Sequence, residues 1–210
     1  CRTTEWQVLT GCELALVDEA KRTRVLEPGV TLFRQGDDAD GVYCIQSGLV
    51  GLRRITPTGE SALLRLCTSG VTVGYRALLS KGPHRNSAEA LSPSVVCFIE
   101  RAHIRNLLQA NPQLGERFLQ HSFCELDETE TEYAKSMTMG LKARFLHVLL
   151  IFHERLGYQV EDDHHVIELP IQRTELASLV GARPESISRL VRSMEAEGLL
   201  RFDKRRVRFI

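Results

Sequence analysis

Apolar residues recur along this chain with three different periods. From Arg24 to about Ile99, short runs of Val, Leu, Ile and Phe are separated by Pro28-Gly29, Gly36-Asp37, Ser47-Gly48, Pro57-Thr58-Gly59 and Ser69-Gly70. Val42, Cys44, Val50, Leu52, Leu63, Leu64 and Leu66 alternate or cluster as half-buried strands do, and turn signals return about every ten residues. That spacing predicts an antiparallel β-roll of jelly-roll type. Helical spacing over Cys12 to Ala20 and Arg101 to Gln109 predicts a helix closing each end of it. From Gln113 to about Met137 the chain has no proline and no glycine but Gly115. Leu119, Leu126 and Tyr133 recur there every seven residues, with Ser122 or Phe123 and Thr129 or Glu130 between them. This is the pattern of a coiled-coil seam, and it makes Leu119, Phe123, Leu126 and Tyr133 the candidate dimer interface. The same few residues also fit a helix packed on its own domain.

Beyond Gly140 the period becomes that of amphipathic helices. LKARFLHVLLIFHERLG predicts one helix, Val166 to Leu169 a strand, and Leu169 to Ile210 two more helices with a hairpin. Ile171, Leu176, Leu179 and Val180 give the first of these helices a buried face, and Ile187, Leu190, Val191 and Met194 give the second. Gly181 supplies the turn between them, Pro184 suits the first turn of the second helix, and Gly198 ends it. Leu199 to Ile210 reads as a strand, a turn at Asp203-Lys204 and a strand, bearing Arg201, Lys204, Arg205, Arg206 and Arg208. The whole is expected to be an α+β chain: a β-roll sensor domain (1–112), a dimerisation helix (113–138) and a winged helix-turn-helix (139–210).

Chemistry favours DNA as the partner of the last part. The chain has 27 Lys and Arg against 27 Asp and Glu, yet residues 171–210 carry nine basic side chains and five acidic ones. At the tip of the second helix, Glu185, Ser186, Ser188, Arg189 and Arg192 can accept from cytosine, donate bidentately to guanine and hold phosphates. A basic hairpin beside them would lie on the DNA backbone. Glu125, Asp127, Glu128, Glu130 and Glu132 flank the candidate seam, where like charges across a parallel pair would make dimerisation marginal.

No stretch approaches the length of an apolar membrane helix, and CRTTEWQVL lacks the regions of a signal peptide, so a cytoplasmic location with no membrane partner is expected. Cys1, Cys12, Cys44, Cys67, Cys97 and Cys124 are scattered, which predicts free thiols or cluster ligands rather than a disulfide framework. The chain opens on Cys1 and not on methionine, so residues upstream are expected. An enzyme is not expected: a cupin-type metalloenzyme needs paired histidines on its strands, and residues 25–99 hold only His84. Nor is there a nucleophile elbow, a phosphate-cradling glycine loop or a zincin helix. The competing reading is a ligand-binding β-roll module whose tail is incidental.

The order β-roll, long helix, winged helix-turn-helix resembles the Crp/Fnr family of bacterial transcription regulators. EPGVTLFRQGDDADGVYCIQSGLV (27–50) is similar to that family's first β-roll repeat, and LVGARPESISRLVRSMEAEGLL to its DNA-binding signature. Glu185-Ser186-Ile187-Ser188-Arg189 resembles the Glu-x-x-Ser-Arg pattern of the Fnr branch, which implies an inverted repeat like TTGAT-N4-ATCAA. By the same likeness Arg173 would hold a phosphate, and RNA polymerase would be a partner. Cyclic-nucleotide members bind through a Gly-Glu-Leu turn and an Arg-Ser pair. Here the matching effector-binding candidates are Gly74-Tyr75-Arg76 and Arg85-Asn86-Ser87, and the missing glutamate and serine argue against cyclic AMP. The Fnr resemblance implies a [4Fe–4S] cluster with Cys97 as its central ligand and Cys1 near an N-terminal one, the remaining ligands lying upstream. Cys97 within VVCFI is, taken on its own, more often a small core residue.

Overall fold

The computed structural model describes residues 5–57, 59–161 and 164–210. The chain divides into two compact units, one of residues up to 61 with 65–130, the other of residues 131–210 with 62–64.

In the first unit a short 3-10 turn, Glu5–Val8, leads into helix α1 (Gly11–Ala20). Thr10 caps α1: its hydroxyl accepts from the Glu13 N–H, and the Glu13 carboxylate accepts from the Thr10 N–H, so two of the orphan donors at the helix start are satisfied. Eight strands follow: β1 (Arg22–Leu26), β2 (Thr31–Phe33), β3 (Gly41–Ser47), β4 (Val50–Ile55), β5 (Ser61–Cys67), β6 (Thr72–Val73), then β7 (Ser87–Ala90) and β8 (Ser94–Glu100) after helix α2 (Tyr75–Ser80). They form two four-stranded sheets, in the orders β1-β8-β3-β6 and β2-β7-β4-β5, as the turn spacing predicted. Leu26, Phe33, Ile45, Val50, Val73, Ala88, Ala90 and Val96 fill the space between the sheets. Ile99 and Val42 instead join a second core with Tyr75, Ile104, Leu107, Leu114 and Phe118. Strand β8 is therefore buried on both faces, which is why VVCFI reads as a continuous apolar run rather than an alternation. At the β3–β4 turn Gly48 has φ +92, and a Cβ there would collide with Ser94 and the Pro93 carbonyl.

Helix α3 (Arg101–Ala110) packs beside α1, and α4 (Pro112–Thr138) runs without a break over the segment that carries the heptad pattern. The second unit comprises α5 (Leu141–Leu156), β9 (Gln159–Glu161), β10 (His164–Glu168), α6 (Arg173–Val180), α7 (Pro184–Ala196), β11 (Leu200–Asp203) and β12 (Arg206–Phe209). Its four strands make one antiparallel sheet in the order β11-β12-β10-β9. Phe145, Leu149, Phe152, Leu176, Ile187, Val191, Met194, Leu200 and Val207 have no exposed surface. Together they make this unit's core. No helix among the described residues is long and apolar enough to cross a membrane.

Candidate nucleic-acid interface

Helices α6 and α7 are joined through Gly181, whose φ of +67 closes the tight turn, and Pro184 occupies the first turn of α7. Ile187, Val191 and Met194 are buried, with Leu190 half-buried, and this fixes the rotation of α7 about its axis. Glu185, Arg189 and Arg192 consequently face solvent, and Ser186 and Ser188 are half-exposed. Among the described residues none of these five side chains has a hydrogen-bond or ion-pair partner. An amphipathic helix whose outer face holds five polar groups at one end, all unengaged, can offer both donors and acceptors to a base edge.

Two further groups flank that tip. Arg173, the first residue of α6, lays its guanidinium over the Phe202 ring, 4.5 Å from the centroid. Stacking occupies the face of the guanidinium and leaves its edge N–H groups free for a phosphate. In the hairpin β11–β12, Lys204 adopts a left-handed φ of 51 at the turn, and Arg201, Lys204 and Arg205 are exposed. Arg206 and Arg208 differ from the expectation of a uniformly free basic hairpin: both bond to the Glu161 carboxylate on β9. Three of the hairpin's five cations are left for an outside anion.

The other site candidates have partners within the chain. Gly74, at φ +90, precedes α2. The Tyr75 ring is buried and stacks on Phe118, centroids 5.2 Å apart, while its hydroxyl accepts from Ser122 at 3.4 Å. Arg76 is exposed, 3.8 Å from Glu125. Arg85 is exposed too. The Asn86 carbonyl accepts from Arg54 Nε, and the Ser87 hydroxyl accepts from the Gln35 N–H, each at 2.9 Å. The structure thus turns Tyr75 and Arg76 toward α4, and Asn86 and Ser87 toward β4 and the loop after β2. Cys97 is buried on β8, directly opposite Cys44 on β3, with its sulfur 3.4 Å from the Thr23 hydroxyl. Burial pushes the Cys44 thiol up to about 12, which favours its protonated form. Cys12 is exposed on α1, and Cys1 lies outside the described residues. Cys124 is disulfide-bonded, contrary to the expectation of free thiols. No group of three or more His, Cys, Asp or Glu is placed to hold a metal among the described residues. The thiols described do not fit a four-thiolate cluster.

On α4 the heptad residues Leu119, Phe123, Leu126 and Tyr133 are 55%, 58%, 51% and 66% exposed, and Met137 continues the row at 71%. The acidic residues beside them require a correction. Glu125 is buried, paired with Arg65, and lies 3.4 Å from His121 Nε2. Glu128 bonds the same Arg65 at 2.6 Å. Buried Glu5 bonds His121 from the other side and accepts from the Thr72 hydroxyl at 3.1 Å. Glu125 and Glu128 are neutralised by their own unit and do not repel across a seam. Removing Glu125 would take a buried partner from both Arg65 and His121 and leave each with one carboxylate, Glu128 and Glu5.

This network is pH-sensitive. Bonds from Glu125 and then Glu5 hold the His121 imidazolium and raise its pKa to about 9. Burial by itself pushes the Glu125 carboxyl up, but His121 and Arg65 outweigh it and hold the group below its usual range. A histidine whose folded pKa is raised contributes stability that is fully present below about pH 6.5 and is lost as the pH climbs through about 9. Denaturant unfolding should therefore show the first unit losing about 2–3 kcal/mol between pH 6.5 and pH 9.5, a decline that His121→Gln flattens. Parallel slopes for the two proteins would remove the network from the account.

The comparisons with known proteins match this geometry. Residues 23–111 match the cyclic nucleotide-binding domain family, and residues 143–210 match the Crp-like helix-turn-helix domain family. The anaerobic regulatory protein of Bacillus subtilis (strain 168) is 25% identical over 190 residues, 90% of this chain and 79% of that one. The CRP-like cAMP-activated global transcriptional regulator of Mycobacterium tuberculosis (strain ATCC 25618 / H37Rv) is 25% identical over 193 residues, 90% and 86% of the two chains. In fold, the chain is similar to the c-di-GMP responsive global regulator CLP of Xanthomonas campestris, with a TM-score of 0.81 at 18% identity, covering 95% of this chain and 99% of that one. The chain thus joins a domain of the cyclic nucleotide-binding family to a Crp-like helix-turn-helix domain with an unengaged polar tip, the pair of domains expected of a Crp/Fnr-type transcription regulator.

Proposed function

We propose that this regulator acts as a cytoplasmic homodimer of the Fnr-like branch, reading an inverted repeat like TTGAT-N4-ATCAA under control of a redox, gas or small-molecule signal. The observation that carries the reading is the tip of α7, where Glu185, Ser188 and Arg189 stand outward without partners. Arg189 can fork onto guanine O6 and N7, Glu185 can accept from a cytosine amino group, and Ser188 can touch thymine. Ser186 and Arg192 flank them, while Arg173 and Arg205 hold phosphates and set the register.

The exposed row on α4 supports the dimer. Four large apolar side chains at heptad spacing, each more than half exposed, find cover when two α4 helices pair. A two-fold axis then repeats α7 at the spacing of successive major grooves, about 34 Å. RNA polymerase is the partner expected once such a dimer is seated near a promoter.

The signal belongs to the first unit. Two relatives of equal likeness are named for different conditions, anaerobic regulation and activation by cAMP, so kinship alone does not choose between them. Nor do the local residues favour cyclic AMP. Tyr75 stands where the family's ribose-binding glutamate would, and its ring is locked against Phe118. Fluorescence anisotropy of the full chain should show the palindrome bound about a thousand-fold more tightly than a shuffled duplex at the same salt concentration. Equal affinity for both would overturn the proposal.

A further inference from the structure

The second unit carries an arrangement that its DNA-reading surface does not use. His153 lies in the last turn of α5, and His165 lies on β10 opposite Val160 of β9. Two of their nitrogens face each other: His153 Nε2 is 3.1 Å from His165 Nδ1, with ring centroids 5.2 Å apart and planes only 19° from parallel. Tyr158 stacks on both, 4.3 Å from His153 at 11° and 4.0 Å from His165 at 21°. One phenol ring thus stacks on two nearly parallel imidazoles. Phe209 closes against His153 edge-on at 6.1 Å. His165 is exposed and His153 half-buried.

We propose that His153 and His165 form a two-imidazole chelate for a divalent transition metal ion of the nickel, copper and zinc class. Imidazole nitrogens bind such ions in the ring plane at about 2.0–2.1 Å, so two of them in neighbouring positions of a square or tetrahedral shell stand about 2.9–3.4 Å apart. The observed 3.1 Å falls inside that interval. Without metal, one ring donates its N–H to the other. On binding, that ring moves its proton through solvent to its outer nitrogen, both facing nitrogens present lone pairs, and no proton is lost or gained overall. No third protein ligand is placed there among the described residues, so water completes the shell. Fixing three rings at an accessible position costs side-chain entropy that a single imidazole hydrogen bond repays poorly, whereas a metal bridge uses the whole arrangement. The ion would tie the end of α5 to β10, the strand that pairs with β12 of the basic hairpin.

Calorimetric titration of nickel(II) chloride into the chelator-treated, thiol-reduced full chain tests this. One ion should bind per chain, and His165→Gln, at an exposed position, should weaken binding about ten-fold or more while circular dichroism stays unchanged. His153→Gln should do the same, and His103→Gln, at an exposed histidine of α3, should leave binding as it is. Wild-type protein that takes up no nickel, or a His165→Gln protein that binds as wild type does, would overturn the proposal. The readout is independent of DNA, so it stands or falls apart from the reading of α7.

Discussion

Arg189→Ala is expected to cost about 1–3 kcal/mol per half-site on the palindrome and almost nothing on a shuffled duplex. The asymmetry comes from where the side chain stands. Arg189 is two residues beyond buried Ile187 and two before buried Val191, so its guanidinium projects from the face opposite the core and meets no protein group. A fork of N–H donors at that position can satisfy both acceptors on a guanine edge, and alanine leaves them without a protein partner. Arg205→Ala makes the informative contrast. Arg205 sits at the turn of the exposed hairpin, and in the proposed seating it meets the DNA backbone. Its loss should weaken specific and shuffled DNA by the same factor and lower the slope of log K against log salt by about one. Anisotropy titrations on both duplexes at several salt concentrations separate the two outcomes. An equal loss on both duplexes for Arg189→Ala would withdraw base reading from that residue.

Phe123→Glu combined with Leu126→Glu should convert the protein to a monomer in sedimentation velocity and abolish tight binding to the palindrome. Phe123 and Leu126 lie in the middle of the exposed row on α4. A carboxylate at each position, in each of two helices, would put four charges into a closing apolar seam, and an unpaired charge there costs several kcal/mol. Both side chains are more than half exposed within the protomer, so the folded unit itself should lose little. Half-site binding should survive at the level of one module, because α7 is untouched. A double variant that stays dimeric would relocate the interface.

These expectations came from the sequence unevenly, and the reason is physical. Strand and turn punctuation named the β-roll, and the apolar stripes of α6 and α7 named the helix-turn-helix, because both depend on residues close together in the chain. Ile187, Val191 and Met194 alone fix which face of α7 is outward, so Glu185, Ser188 and Arg189 could be read as a group before any coordinates. Counting heptads also singled out Leu119, Phe123, Leu126 and Tyr133, all of which are exposed on α4. Glu125 was misread by one step along the same helix: it precedes Leu126, about 100° away around the axis, and so points into its own unit. Its partner Arg65 is distant in sequence, as are Glu5 from His121 and Glu161 from Arg206 and Arg208, and no local pattern announces such pairs. Tyr75 shows the same limit. Its place in the glutamate position was visible, but its stacking on Phe118, and hence its burial, required the fold.

The most direct test of the central claim extends the anisotropy comparison with a third duplex, the palindrome carrying about half a helical turn of extra spacer, which turns one half-site to the opposite face of the DNA. If two copies of α7 are presented by a symmetric pair, tight binding should survive only at the original spacing and fall about a hundred-fold or more on the lengthened site. Equal affinity for the two spacings would contradict it.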